Sequence, residues 1–158
     1  MNSKDTMKSG HKGVGILVIY AMGHPPDEAA LAELLSTENF KLAIPENIVD
    51  GSINPKDFDC IIVILTEELE VDKHLEDCML IIARCGSPLV GVWGKDVISD
   101  KMHPAVRKYG IQQVPWNPEA ISRVIGSNIP QVFQSSTGKH IEQAVRHERT
   151  YNKCKKAS

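Results

Sequence analysis

Six residues have types and positions that could do chemistry: His24, Thr66, Asp72, His74, Glu76 and Lys95. Asp72 and Glu76 follow the apolar run CIIVILT (60–66), and Thr66 closes that run. A carboxylate beside a crevice can stabilise an oxocarbenium-like sugar centre or attack it, the chemistry that cuts a nucleoside or nicotinamide glycosidic bond. Glu76, with Asp72, is the candidate catalytic pair. His24, Thr66, His74 and Lys95 are the candidate ligand contacts. Each also has a plainer reading. Glu76 fits a solvated position in an acidic helical turn, His24 a surface turn before Pro25 and Pro26, and Asp72 a helix cap whose carboxylate accepts backbone N–H groups. His74 lies two residues from Glu76 and so points elsewhere on a regular helix. Glu67, Glu68 and Asp96 complete the polar residues of this region.

The elements that must position these groups are short and regular. VGILVIY (14–20), FKLAI (40–44), CIIVILT (60–66), PLVGVW (88–93) and GIQQVPW (110–116) read as five strands, the last ending by Pro115. Helical patterns separate them: DEAALAELL (27–35) with Pro26 just inside its start, 72–85, 104–109, and a helix capped by Asn117 with Pro118 at its first position, running to Ile125. In 72–85 the residues Leu75, Cys78, Met79, Ile82 and Cys85 form one apolar stripe, and Gly86 ends the helix. The strands are apolar throughout rather than alternating, so both sheet faces must be covered. Right-handed crossovers then predict a three-layer, doubly wound α/β domain with a parallel five-stranded sheet in the order 2-1-3-4-5. The two most apolar strands become neighbours at its centre. Ligands of such sheets sit at the carboxyl ends, where chain direction reverses. Ala21–Pro26, Thr66–His74 and Gly94–Asp96 fall there.

Several common sites are excluded by residue type. The turn after the first strand, YAMGHPPDEA, holds one glycine and two prolines, so it lacks a GxGxxG fingerprint and the backbone donors of a phosphate nest. There is no GxxxxGK[ST] and no Ser/Thr/Gly-rich flavin loop. Tyr20 and Thr66 stand where a phospho-receiver domain needs acids. Cys60, Cys78, Cys85 and Cys154 form no CxxC pair, and Cys78 and Cys85 lie too far apart along one helix to bridge. The histidines show no metal-ligand spacing. No metal and no cofactor is expected.

The chain has 158 residues, 42% of them hydrophobic, enough for one domain with a sizeable core. A formal charge of −2 excludes a globally basic nucleic-acid binder. The charge is uneven: Lys139, Arg146, Arg149, Lys153, Lys155 and Lys156 against Glu142 and Glu148 make 139–158 net +4, leaving −6 for the first 138 residues. We therefore expect a flexible N-terminus over 1–12, a domain over 13–130, and a basic extension over 131–158 with a helix at 137–150. That extension is a candidate contact for a partner or nucleic acid, although no aromatic series accompanies it. The apolar runs fall short of the roughly 18 residues needed to span a bilayer, and MNSKDTMKSGHKG is not a signal-type segment. The expected localisation is cytoplasmic, with no membrane contact.

The series CIIVILT, then DKHLEDCMLIIARCGSPLVGVW, resembles two nucleotide-handling families: the nucleoside 2-deoxyribosyltransferase-like group and the bacterial TIR-like group of flavodoxin-like fold. Both place a helix after the third strand and a Gly-x-Pro-type entry into the fourth. PAVRKYGIQQVPWNPEAI resembles the end of TIR-like domains, and the likeness covers residues 14–126. It implies a flavodoxin-like sheet, self-association or a protein partner, a nucleotide-type ligand, and work in bacterial signalling or defence. It also implies a catalytic glutamate eight residues before the glycine, and here that place is Cys78. Asp72 matches the aspartate that starts the helix in the deoxyribosyltransferases. Glu76 is the nearest glutamate, about 200° around the helix from Cys78. Two functions follow as expectations. One is a non-catalytic signalling or assembly module that binds a partner or a nucleotide-type ligand. The alternative is an NAD or nucleoside N-glycosidase or 2-deoxyribosyltransferase in which Glu76 has taken over.

Overall fold

Short runs of Val, Ile and Leu, each stopped by a turn, build the centre of the molecule. The structure is a computed structural model that describes residues 15–99, 101–125 and 134–139. Its strands are β1 (Ile16–Ile19), β2 (Phe40–Ala43), β3 (Cys60–Leu65), β4 (Leu89–Trp93) and β5 (Gln112–Val114). Its helices are α1 (Glu28–Leu35), α2 (Pro45–Val49), α3 (Glu67–Glu70), α4 (Leu75–Cys85), α5 (Pro104–Tyr109) and α6 (Pro118–Ile125). The sheet runs β2-β1-β3-β4-β5 with every pairing parallel. This is the expected three-layer, flavodoxin-like arrangement. β1 and β3 are neighbours, with Val18 opposite Ile62 and Ile19 opposite Val63, so their exits open at the same end.

Every residue of β3 is buried, and alternate side chains serve opposite layers. Leu17, Ile19, Ile61, Val63 and Leu65 pack with Ile48 of α2, Cys78, Met79 and Ile82 of α4, and Val106 of α5. Val18, Ile62, Ile64, Val90 and Val92 pack with Leu31 and Leu34 of α1 and Ile121 of α6. The uninterrupted apolar character of the strands is thus the signature of a sheet with helices on both faces.

Boundaries differ from the sequence reading in instructive ways. Pro26 lies outside α1 rather than within it, because Asp27 takes the cap and its Oδ2 accepts the Ala30 N–H at 2.9 Å. The expected helix over 72–85 begins only at Leu75. Thr66 caps a separate turn of helix over Glu67–Glu70, its Oγ1 accepting the Leu69 N–H at 3.3 Å, and the chain must reorient before α4 starts. Within α4 the buried residues are Leu75, Cys78, Met79 and Ile82, while Cys85 is only half-buried. Gly86 caps it in the left-handed conformation at φ 75°. Asn117 caps α6 as expected, accepting the Glu119 and Ala120 N–H groups. Of the helix expected at 137–150, residues 137–139 form part of a tight turn instead, with Gly138 at φ 92°. Residues 140–150, like the N-terminus over 1–12, lie outside the described residues. Among the described residues, no helix is long and apolar enough to cross a membrane.

Candidate functional site

Among the described residues, three clefts around the carboxyl ends of β1, β3 and β4 divide the candidate residues between them. One, of about 400 Å³, lies toward α1 and α6. It is lined by His24, Pro25, Pro26, Thr66, Lys95, Asp96 and Trp116, among others. A second, of about 440 Å³, lies toward α2 and α4 and is lined by Met22, His24, Glu46, Glu68, Val71, Asp72, Lys73 and His74. His24 and Glu68 line both, so these two flank one crevice over the β1–β3 junction. The third is smaller, about 220 Å³, and runs between α4 and α5; Asp72, Glu76, Lys108 and Tyr109 help to line it.

The structure therefore brings His24, Thr66 and Lys95 together in one cleft and His24, Asp72 and His74 together in the next. It does not bring Glu76 to them. Glu76 meets Asp72 only in the third cleft, where its Oε1 lies 3.9 Å from the Lys108 Nζ. The Glu76 side chain is 65% exposed, so this pair contributes little. The cause is rotation about α4: the stripe that packs on the sheet leaves Glu76 outward, beside α5.

Two of the other candidates have backbone duties. Thr66 caps α3. Asp72 Oδ1 accepts the His74 N–H at 2.9 Å, while Asp72 C=O accepts the Leu75 N–H at 3.1 Å. Asp72 therefore shapes the turn that leads into α4 rather than capping it; His74 occupies the cap position without a side-chain bond.

Cys78, at the position where the family resemblance places a glutamate, is fully buried among the residues beneath the sheet. Loss of solvation, with the Asp72 charge adding to it, pushes its thiol up to about 12. Burial likewise raises Cys60 to about 11. A thiol so shifted is neither a nucleophile nor an acid near neutral pH. Among the described residues no group of three or more His, Cys, Asp and Glu side chains could hold a metal ion.

A buried polar cluster beneath the crevice was not singled out from the sequence. His103 is 4% exposed and Gln113 is 0% exposed. The His103 Nδ1 accepts the Ala105 N–H at 3.0 Å, which caps α5 and leaves Nε2 to donate to the Thr66 C=O at 2.7 Å. Burial lowers the His103 pKa, while the Thr66 carbonyl and the Glu70 charge oppose that shift. Gln113 accepts the His103 N–H through Oε1 at 2.8 Å and donates through Nε2 to the Gln134 C=O at 2.7 Å. The Trp93 Nε1 donates to that same carbonyl at 3.0 Å, and the Trp93 ring meets His103 edge-on. Two signals for this cluster stood in the sequence: a histidine directly before Pro104, as a helix cap would be, and glutamine at the centre of a short strand.

Gly94 allows the two loops to meet. A Cβ there would lie 3.1 Å from both the Thr66 Cγ2 and the Val97 Cγ2. No family model, no curated protein and no solved structure matches the chain.

Proposed function

We propose that this chain is a non-catalytic binding module of the signalling or assembly kind, whose crevice takes a nucleotide-type ligand. The burial of Cys78 carries this reading. The place that the sequence resemblance gives to a catalytic glutamate holds an un-ionised thiol under the sheet, and the nearest glutamate, Glu76, opens into a different cleft from His24, Thr66 and Lys95. Binding needs less than catalysis does. The 400 Å³ cleft is lined by the apolar side chains of Trp116, Pro25 and Pro26 and by a few polar groups at His24, Thr66 and Lys95. A base stacked on an aromatic ring is worth about 1–3 kcal/mol. In the bacterial signalling or defence setting that the resemblance implies, ligand binding would be read out through self-association or a protein partner.

The test is calorimetric titration of the whole chain with NAD, ADP-ribose and nucleosides, alongside a turnover assay with NAD and nucleosides. We expect saturable binding that weakens at least tenfold in Trp116→Ala and Lys95→Ala, with no turnover. Sustained cleavage that disappears in Glu76→Gln would establish the glycosidase or transferase reading instead. Failure of every ligand to bind would leave the crevice without a nucleotide role.

A further inference from the structure

We propose that residues 134–139 are a strap that latches the Gly94–Ser99 loop, so that undocking the strap frees the crevice wall carrying Lys95 and Asp96. This goes beyond ligand binding and stands whether or not a nucleotide is the ligand. The loop is clamped at both ends. At its start the Gly94 N–H donates to the Leu65 C=O at 3.0 Å, tying it to the exit of β3. At its end the Ser99 backbone is held by the strap through a reciprocal set of bonds, while its Oγ accepts the Lys101 N–H at 3.1 Å. The Ser136 N–H donates to the Ser99 C=O at 2.9 Å, the Ser99 N–H donates to the Ser136 Oγ at 2.8 Å, and that hydroxyl lies 3.1 Å from the Ser99 C=O. Lys95, Asp96 and Val97, which line the 400 Å³ cleft, lie between these two clamps.

The strap is itself seated on the edge of the sheet by polar contacts. The Gln134 N–H donates to the Gln113 C=O at 2.6 Å, and the Gln134 C=O receives both Gln113 Nε2 and Trp93 Nε1. Ser135 is buried, and its Oγ accepts the Thr137 and Lys139 N–H groups, closing the strap into a turn. These bonds tie the strap to the His103 cluster and through it to the carbonyl of Thr66, which lines the same cleft beside Gly94. Trp116 adds a second connection, since it walls both the crevice and a cleft of about 310 Å³ whose other side is Gln134, Ser136 and Thr137.

The latch is built to release locally. The loop leaves Ile98 88% exposed, and the strap is held by hydrogen bonds rather than by the apolar layers that hold β1 and β3. Segments fastened this way open at lower free energy than the core they rest on. Opening leaves the sheet intact, because neither apolar cluster includes a residue of the strap.

The protein has two tryptophans, so the full chain carrying Trp116→Phe reports on Trp93 alone. In that background, Ser136→Ala removes both hydroxyl contacts. We expect amide exchange at Val97 and Ser99 to quicken at least tenfold and acrylamide quenching of Trp93 to rise at least twofold, with amides of β1 and β3 unchanged. Gly138→Ala forces a side chain into a φ of 92° and loosens the same turn by an independent route; it should reproduce the pattern. Exchange that quickens equally in β3, or only within 134–139, in both variants overturns the proposal. So does unchanged exchange at Val97 and Ser99.

Discussion

Replacing Cys78 by glutamate restores the residue type that the family resemblance places there, and the structure says this should break the protein rather than create an enzyme. The side chain is fully buried between α4 and the sheet. Three additional heavy atoms in a packed layer cost about 1–3 kcal/mol. A carboxyl group without partners in that apolar surrounding costs about 1–3 kcal/mol more even when neutral. Keeping it neutral at pH 7 means raising its pKa from about 4.3, at about 1.4 kcal/mol per unit. The total, ~6–10 kcal/mol, is comparable to the ~5–15 kcal/mol that holds a domain together. Urea unfolding followed by tryptophan fluorescence should show Cys78→Glu largely unfolded at pH 7 and partly recovered at pH 5, where protonation is easier. Cys78→Ala, which leaves only a small void, should lose about 1 kcal/mol. A Cys78→Glu protein within about 2 kcal/mol of the parent at pH 7, or one that cleaves NAD, would show that position 78 faces the crevice and would refute the reasoning.

Other expectations follow from the polar cluster. Gln113→Leu conserves volume but strands the buried His103 N–H and removes one donor to the Gln134 C=O, so the urea midpoint should fall by an amount worth ~2–4 kcal/mol with the m-value unchanged. His103 is neutral in the fold with its pKa lowered by burial. Below about pH 6.5 the unfolded chain takes up a proton that the folded chain refuses, so stability should decline on acidification, by at most ~1.4 kcal/mol per pH unit from this group. His103→Gln should be less stable at pH 7.5 and lose part of that slope, measured as urea midpoints at pH 7.5 and 5.5. Gly94→Ala places a methyl group 3.1 Å from Thr66 and Val97. It should cost ~1–3 kcal/mol and shift the Thr66 and Val97 amide resonances more than those of β2.

Much of the architecture was legible in the chain because its determinants are local. The apolar runs mark strands buried on both faces, and the Leu75, Cys78, Met79, Ile82 stripe marks the inner side of α4. Gly86, Asn117 and Pro118 mark helix ends through their own backbone preferences. From these, strand order and the shared exit of β1 and β3 follow by the handedness of crossovers. The placement of His24, Thr66 and Lys95 in one cleft is a consequence of that order.

What the sequence could not decide is where a side chain finds its partner. Glu76 looks like a crevice residue when only its distance from β3 is considered. The inward packing of α4 and the separate turn at α3 instead send Glu76 toward Lys108, and the same rotation places Cys78 in the core. The partners within the His103 cluster could not be paired from the sequence for another reason: the Trp93 Nε1 and the carbonyl it meets are 41 residues apart. A strand or helix is a bargain among neighbours in the chain and shows in their spacing. A buried hydrogen bond joins groups that only the folded packing brings within reach, so it is the tertiary structure that tells which polar residue is structural and which is free to meet a ligand.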